Sequence, residues 1–135
     1  MEALSPQGAL LVSCISRLPQ RSLPRHAWAA EVLVEQLWAG LPGEHTDAWR
    51  EVLAPLIRQG RVDARRVRAE IWELARSGAL VPVGAGNAAK YEAADFAEAL
   101  AARDLSPQEG QAVDFAVRQL TARLLALSKT AHASL

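Results

Sequence analysis

Arg61, Arg65, Arg66 and Arg68 are crowded into one short segment of the chain, and no other segment concentrates cationic side chains as densely. A guanidinium is a planar fork of donors that matches a phosphate or the O6/N7 edge of guanine, so a cluster of this kind suits contact with a polyanion. From Arg61 to Lys90 there are six bases (Arg61, Arg65, Arg66, Arg68, Arg76, Lys90) and three acids (Asp63, Glu70, Glu73), which leaves plus three. From Tyr91 to Asp114 there are six acids (Glu92, Asp95, Glu98, Asp104, Glu109, Asp114) and one base, Arg103, which leaves minus five. The formal net charge of the whole chain is zero. Neutrality excludes a chain-wide electrostatic grip on nucleic acid and leaves a local patch as the only route to one. The competing account of the same arginines is a solvated helix face, with Arg66 and Glu70 paired at i, i+4. Arg outnumbers Lys thirteen to two, but a GC-rich coding sequence explains a bias that runs through the whole chain.

Signals for catalysis are poor. His26, His45 and His132 are isolated, and none stands at metal-ligand spacing from another His, Cys or carboxylate. Cys14 is the single cysteine, which excludes an internal disulfide and a cysteine-based zinc site, and its apolar neighbours point to a buried structural thiol. Gly84-Ala85-Gly86 is not followed by a helix start of the phosphate-binding pattern, and no nucleophile elbow is present. No enzyme activity, metal or cofactor is expected. The N-terminus lacks a basic signal-peptide region and no apolar run reaches membrane-spanning length, so a cytoplasmic protein without a membrane partner is expected.

The elements that must position the arginines follow from periodicity. Ser5-Pro6 starts a helix as N-cap and N1, and it ends near Arg17. Leu18 to Pro24 holds two prolines and reads as a connector. A second helix is expected from about Pro24 to Ala39, closed by Gly40. A third begins at Thr46, with Trp49, Val52, Leu53, Leu56 and Ile57 as its stripe, a kink or break at Pro55, and Gly60 as its end. Asp63 caps a fourth helix, in which Val67, Ile71, Leu74 and Ala75 form one buried face. The opposite face must then show Arg65, Arg66, Ala69, Glu70, Trp72, Glu73 and Arg76. Beyond Ser77-Gly78, a strand over Leu80 to Val83, the turn Gly84-Ala85-Gly86-Asn87 and a return strand over Lys90 to Glu92 make a β-hairpin. The four tryptophans (Trp28, Trp38, Trp49, Trp72) are most simply core members, although Trp72 falls on the exposed side of its helix. Ala94 to Arg103 is a short acidic helix. Ser106-Pro107-Gln108-Glu109 is a capping box opening a helix that runs to about Lys129. Val113, Val117, Leu120, Leu124 and Leu127 step by four, three, four, three along it, the spacing of a coiled-coil seam. That spacing favours a homodimer over packing on its own domain.

The segment from Val62 to Gly84 resembles the recognition helix and first wing strand of bacterial winged helix-turn-helix transcriptional regulators. The matching positions are Val67, Ile71, Leu74, Gly78, Leu80 and Val81, with Tyr91 as the aromatic that opens the second wing strand. The resemblance implies a mainly α fold: a winged helix-turn-helix, with a short turn before the recognition helix, a small hairpin wing, and added N-terminal and C-terminal helices. The expected division is residues 1–20 for the N-terminal helix, 21–93 for the winged-helix domain and 94–135 for a C-terminal dimerisation arm. The terminal helix is similar in architecture to that of regulators of the PadR type. On this resemblance the chain binds double-stranded DNA as a homodimeric transcriptional regulator. Arg65, Arg66 and Ala69 would meet base edges, Arg61 and Arg68 would meet phosphates, and Asn87 and Lys90 in the wing would meet the neighbouring backbone or minor groove. Two other readings compete. One is a protein-interaction module, an adaptor or assembly factor without DNA binding, suggested by the neutral total and Trp72. The other is a regulator holding a small effector in a Trp-rich core or in the dimer seam.

Overall fold

The computed structural model describes residues 4–25, 27–39, 51–103 and 105–133, and in them the chain is mainly helical with a small antiparallel sheet. Helix α1 (Pro6–Arg17) begins at its expected cap: Ser5 Oγ accepts a hydrogen bond from the Gly8 amide at 3.0 Å. Leu10, Leu11, Val12, Cys14 and Ile15 are all buried, so the helix is apolar around most of its circumference and forms the middle of the core. Burial pushes the Cys14 thiol far above its ordinary pKa; Arg17 opposes the shift and Asp114 adds to it.

The segment after α1 is more ordered than its prolines suggest. A 3-10 turn (Pro19–Arg21) leads into strand β1 (Ser22–Pro24), which pairs antiparallel with a later strand. Helix α2 therefore starts at Ala27 rather than Pro24 and runs to Ala39. Residues 51–53 are helical and pass into a 3-10 turn at Ala54–Leu56, the break expected at Pro55. Thr46 and Trp49 lie outside the described residues. Gly60 does not end a helix. It sits in the turn of a two-stranded hairpin, β2 (Ile57–Arg58) and β3 (Arg61–Val62), in which Gln59 (φ 53°) and Gly60 (φ 75°) both take left-handed backbone, the geometry of a type I′ turn. The short turn expected before the fourth helix is thus a 3-10 turn followed by a β-hairpin.

Helix α3 (Ala64–Arg76) is capped by Asp63, whose carboxylate accepts from the Arg65 and Arg66 amides at 3.0 and 3.3 Å. Val67, Ile71 and Leu74 are buried, each worth roughly 1.5–3 kcal/mol of transfer free energy. The helix touches α1 at Gly8, where a Cβ would stand 2.9 Å from Glu70 Oε1 and 3.2 Å from Leu74. Strands β4 (Leu80–Val83) and β5 (Lys90–Ala93) follow, and the sheet order is β1-β5-β4. Gly84 has a φ of +77°, and a Cβ there would lie 2.6 Å from the Ala88 carbonyl oxygen, so the hairpin turn needs glycine.

Helix α4 (Asp95–Arg103) and the long helix α5 (Pro107–Ala133) complete the chain, α5 with the Ser106 side chain accepting from the Glu109 amide at 3.1 Å. Helix α5 packs on α1 and α2. The stripe expected to join two copies lies against its own protomer: Val113 and Leu120 are fully buried, and Val117 and Leu124 pack partly buried on the same core. Ala112 and Ala116 share that buried face, and their small side chains let the helices approach closely. The side chain of Leu127 lies outside the described residues. One apolar core draws on residues from all three expected segments. Among the described residues no helix is long and apolar enough to cross a membrane.

Candidate nucleic-acid interface

An α-helix turns by about 100° per residue, which sets Arg65, Ala69, Trp72 and Arg76 within about 60° of one line on the solvent side of α3. Arg66 and Glu73 flank that line on one side and Arg68 on the other, and all seven are exposed. The cap at Asp63 holds the N-terminal end of the helix, so the three arginines of its first two turns project from a rigid element rather than from a loop.

The acids of α3 are turned away or occupied. Glu70 accepts a hydrogen bond from Ser5 Oγ at 2.8 Å and is half-buried against the start of α1, so it does not join the exposed row. Glu73 is paired with Arg76 at 3.0 Å, and Asp63 lies 3.6 Å from Arg66 while it caps the helix. Among the described residues Arg65 and Arg68 have no carboxylate within ion-pair distance. Arg68 Nε donates to the Ala64 carbonyl at 3.3 Å, a bond that does not use its terminal nitrogens.

Three acids of the acidic block found in the sequence are paired elsewhere. Asp114 pairs with Arg17 at 2.7 Å, and Asp95 and Glu98 both pair with Arg21, whose own pKa is raised by the hydrogen bond to Asp95 and then by the charge of Glu98. A neutral chain can therefore carry a locally basic surface, with Asp95, Glu98 and Asp114 drawn to arginines of the N-terminal segment.

The hairpin before α3 adds to that surface. Arg58 and Arg61 are direct cross-strand partners on either side of the Gln59-Gly60 turn, both exposed, and among the described residues neither has an ion pair. Like charges placed opposite each other destabilise a strand pair, so a pure stability optimum would not keep them. Arg61 also lines a cleft with Glu31 and Glu35 of α2, which limits how positive the field becomes on that side. The sequence carried a trace of this arrangement in the basic residues flanking Gln59-Gly60, but the segment reads as the end of a helix.

Of the wing residues, Lys90 does not join. Lys90 points to the face of the sheet opposite Tyr91, where its Nζ donates to Gln20 Oε1 at 3.2 Å and lies 3.8 Å from Glu92. That face looks toward Leu124 and Leu125 of α5. The backbone of Asn87 lies in a 3-10 turn (Gly86–Ala88), and its side chain is outside the described residues. A different cation takes the α3 side of the sheet: Arg25, with its guanidinium 5.1 Å from the Tyr91 ring centroid. Nothing in the sequence marks Arg25, because its role depends on β1 pairing with β5.

Trp72 is 61% exposed, and the Arg76 guanidinium lies 5.7 Å from its ring centroid. Trp28 and Trp38 pack partly buried on the core as expected, so Trp72 alone of these three stands out in solvent. The histidines at 26 and 45 and the side chain of His132 lie outside the described residues. Among the described residues no three His, Cys, Asp or Glu side chains are grouped closely enough to hold a metal ion. No family model, curated protein or solved structure matches the chain.

Proposed function

We propose that this chain binds double-stranded DNA as a winged-helix transcriptional regulator, with α3 as the recognition helix. The observation that carries the reading is the uncompensated arginine surface: Arg58, Arg61, Arg65 and Arg68 have no carboxylate partner among the described residues, while Asp95, Glu98 and Asp114 pair with Arg17 and Arg21. The element order supports it as well. A helix capped at Asp63 leads into a β-hairpin whose return strand pairs with a strand from the start of the chain, an order that a winged helix would also have. In this reading Arg65, Arg66 and Ala69 face base edges in the major groove, and Arg58, Arg61 and Arg68 hold phosphates. Lys90 is dropped from the contact set. Self-association through Val113 and Leu120 is dropped too, since both are already buried; a homodimer would have to form through another face. DNA as partner puts the working compartment in the cytoplasm.

The test is duplex affinity at low salt for the wild type and for the double variant Arg65→Ala, Arg66→Ala. A loss of about a hundredfold is expected, from two charge-assisted contacts at roughly tenfold each. Equal binding by the double variant would remove the recognition-helix assignment. The exposure of Trp72 favours one other reading, a protein-interaction surface on the same helix. A stable protein partner lost on Trp72→Ala, from a chain that does not bind duplex, would establish that reading instead.

A further inference from the structure

Between α3 and the sheet lies a cleft of about 280 Å³. Ile71 and Trp72 form one wall, Leu23 and Tyr91 the other, and Ala30 of α2 lies at its base. Among the described residues its charged lining groups are Arg25 and Arg68, and neither is paired there with a carboxylate. Both are held in place without being neutralised. Arg25 lies over the Tyr91 ring at 5.1 Å, and its amide donates to the Ala89 carbonyl at 3.1 Å. Arg68 is tethered through Nε to the Ala64 carbonyl. Among the described residues the lining contains no Ser, Thr, Asn or Gln side chain, and its uncharged polar side-chain groups are the Tyr91 hydroxyl and the Trp72 indole N–H.

We propose that this cleft binds a small hydrophobic carboxylate. The two guanidinium groups of the lining supply donors suited to a carboxylate, and its aromatic and aliphatic side chains suit an aryl or short acyl body. The volume is near the lower end of small-molecule sites, which sets the ligand at about a dozen non-hydrogen atoms. Arg68 is shared with the phosphate contacts proposed above, and the ligand titration is made without DNA, so failure of either proposal leaves the other to be judged on its own.

The probe is 4-phenylbutyrate, with its uncharged amide as the matched control, titrated into the full-length protein. The readout is the indole N–H resonance of Trp72, assigned by its disappearance in Trp72→Phe. The carboxylate is expected to shift that resonance saturably with a dissociation constant of about 1 mM, typical of a ligand this size, and the amide to bind about tenfold more weakly. Arg25→Gln and Arg68→Gln are each expected to weaken the carboxylate about tenfold and leave the amide unchanged. Both positions are exposed, and unchanged indole resonances of the other tryptophans confirm that the fold is kept. The proposal is overturned if phenylbutyrate produces no saturable shift, if acid and amide bind equally, or if the double arginine variant binds the acid as tightly as the wild type. The acid–amide comparison on the wild type decides the matter even if a variant fails to fold.

Discussion

Helices α3 and α5 carry apolar stripes of similar regularity, yet they present different surfaces to the outside. In α3 the stripe Val67, Ile71, Leu74 is buried, and the opposite face keeps Arg65 and Arg68, which have no acid partner among the described residues. In α5 the stripe Val113, Val117, Leu120, Leu124 looks in sequence like a seam for a second chain, but α1 and α2 of the same protomer cover it. Periodicity determines which face of a helix is apolar. It does not determine what that face meets. For α5 that depends on Ala112 and Ala116 admitting neighbouring helices, and for α3 the outward face depends on where the acids of other elements find partners.

The comparison can be broken most severely at Leu120. Leu120→Ala is expected to lower stability by about 2–5 kcal/mol in chemical denaturation, as for any fully buried leucine. Unchanged stability with dissociation of an oligomer in light scattering would restore the seam. On α3 the pattern reverses. Arg65→Ala should leave stability within about 0.5 kcal/mol, since the side chain is exposed and unpaired, while its duplex affinity falls.

The core beneath both helices has its own signature in pH. The Cys14 thiol is raised in the folded state, so the folded chain keeps its proton where the unfolded chain loses it. Stability is unaffected below the thiol's ordinary value of 9.0 and falls as pH rises above it, by about 1.4 kcal/mol per pH unit. Denaturation series of wild type and Cys14→Ala should diverge only in that alkaline range; parallel curves would show that the thiol is not buried. The smallest effect is at the hairpin. Relieving the like-charge pair with Arg58→Gln is expected to stabilise the fold by about 0.2–1 kcal/mol and to weaken duplex binding. A variant both less stable and equally tight would mean that Arg58 serves the fold rather than a phosphate.

The sequence made the caps legible: Ser5, Asp63 and Ser106 all accept the amides that their spacing implied. The hairpin from Leu80 to Ala93 and the break at Pro55 were legible for the same reason, because the signal is local chemistry. Strand β1 was not. It has three residues ending in proline, and it exists because β5 supplies its hydrogen-bond partners from far along the chain. Arg25 and the Arg58–Arg61 pair were hidden with the strands that place them. Glu70 was misplaced for a similar reason: nothing near it in sequence announces that Ser5 will draw it toward α1.

The central claim, that the arginines around α3 meet phosphates, is tested most directly by the salt dependence of duplex binding, followed by fluorescence anisotropy. Three phosphate contacts, from Arg58, Arg61 and Arg68, predict a linear fall of log K with log salt, with a slope of about −3, which becomes shallower by about two in Arg61→Ala, Arg68→Ala. Absence of binding at low salt, or a slope unchanged in that variant, would contradict the claim.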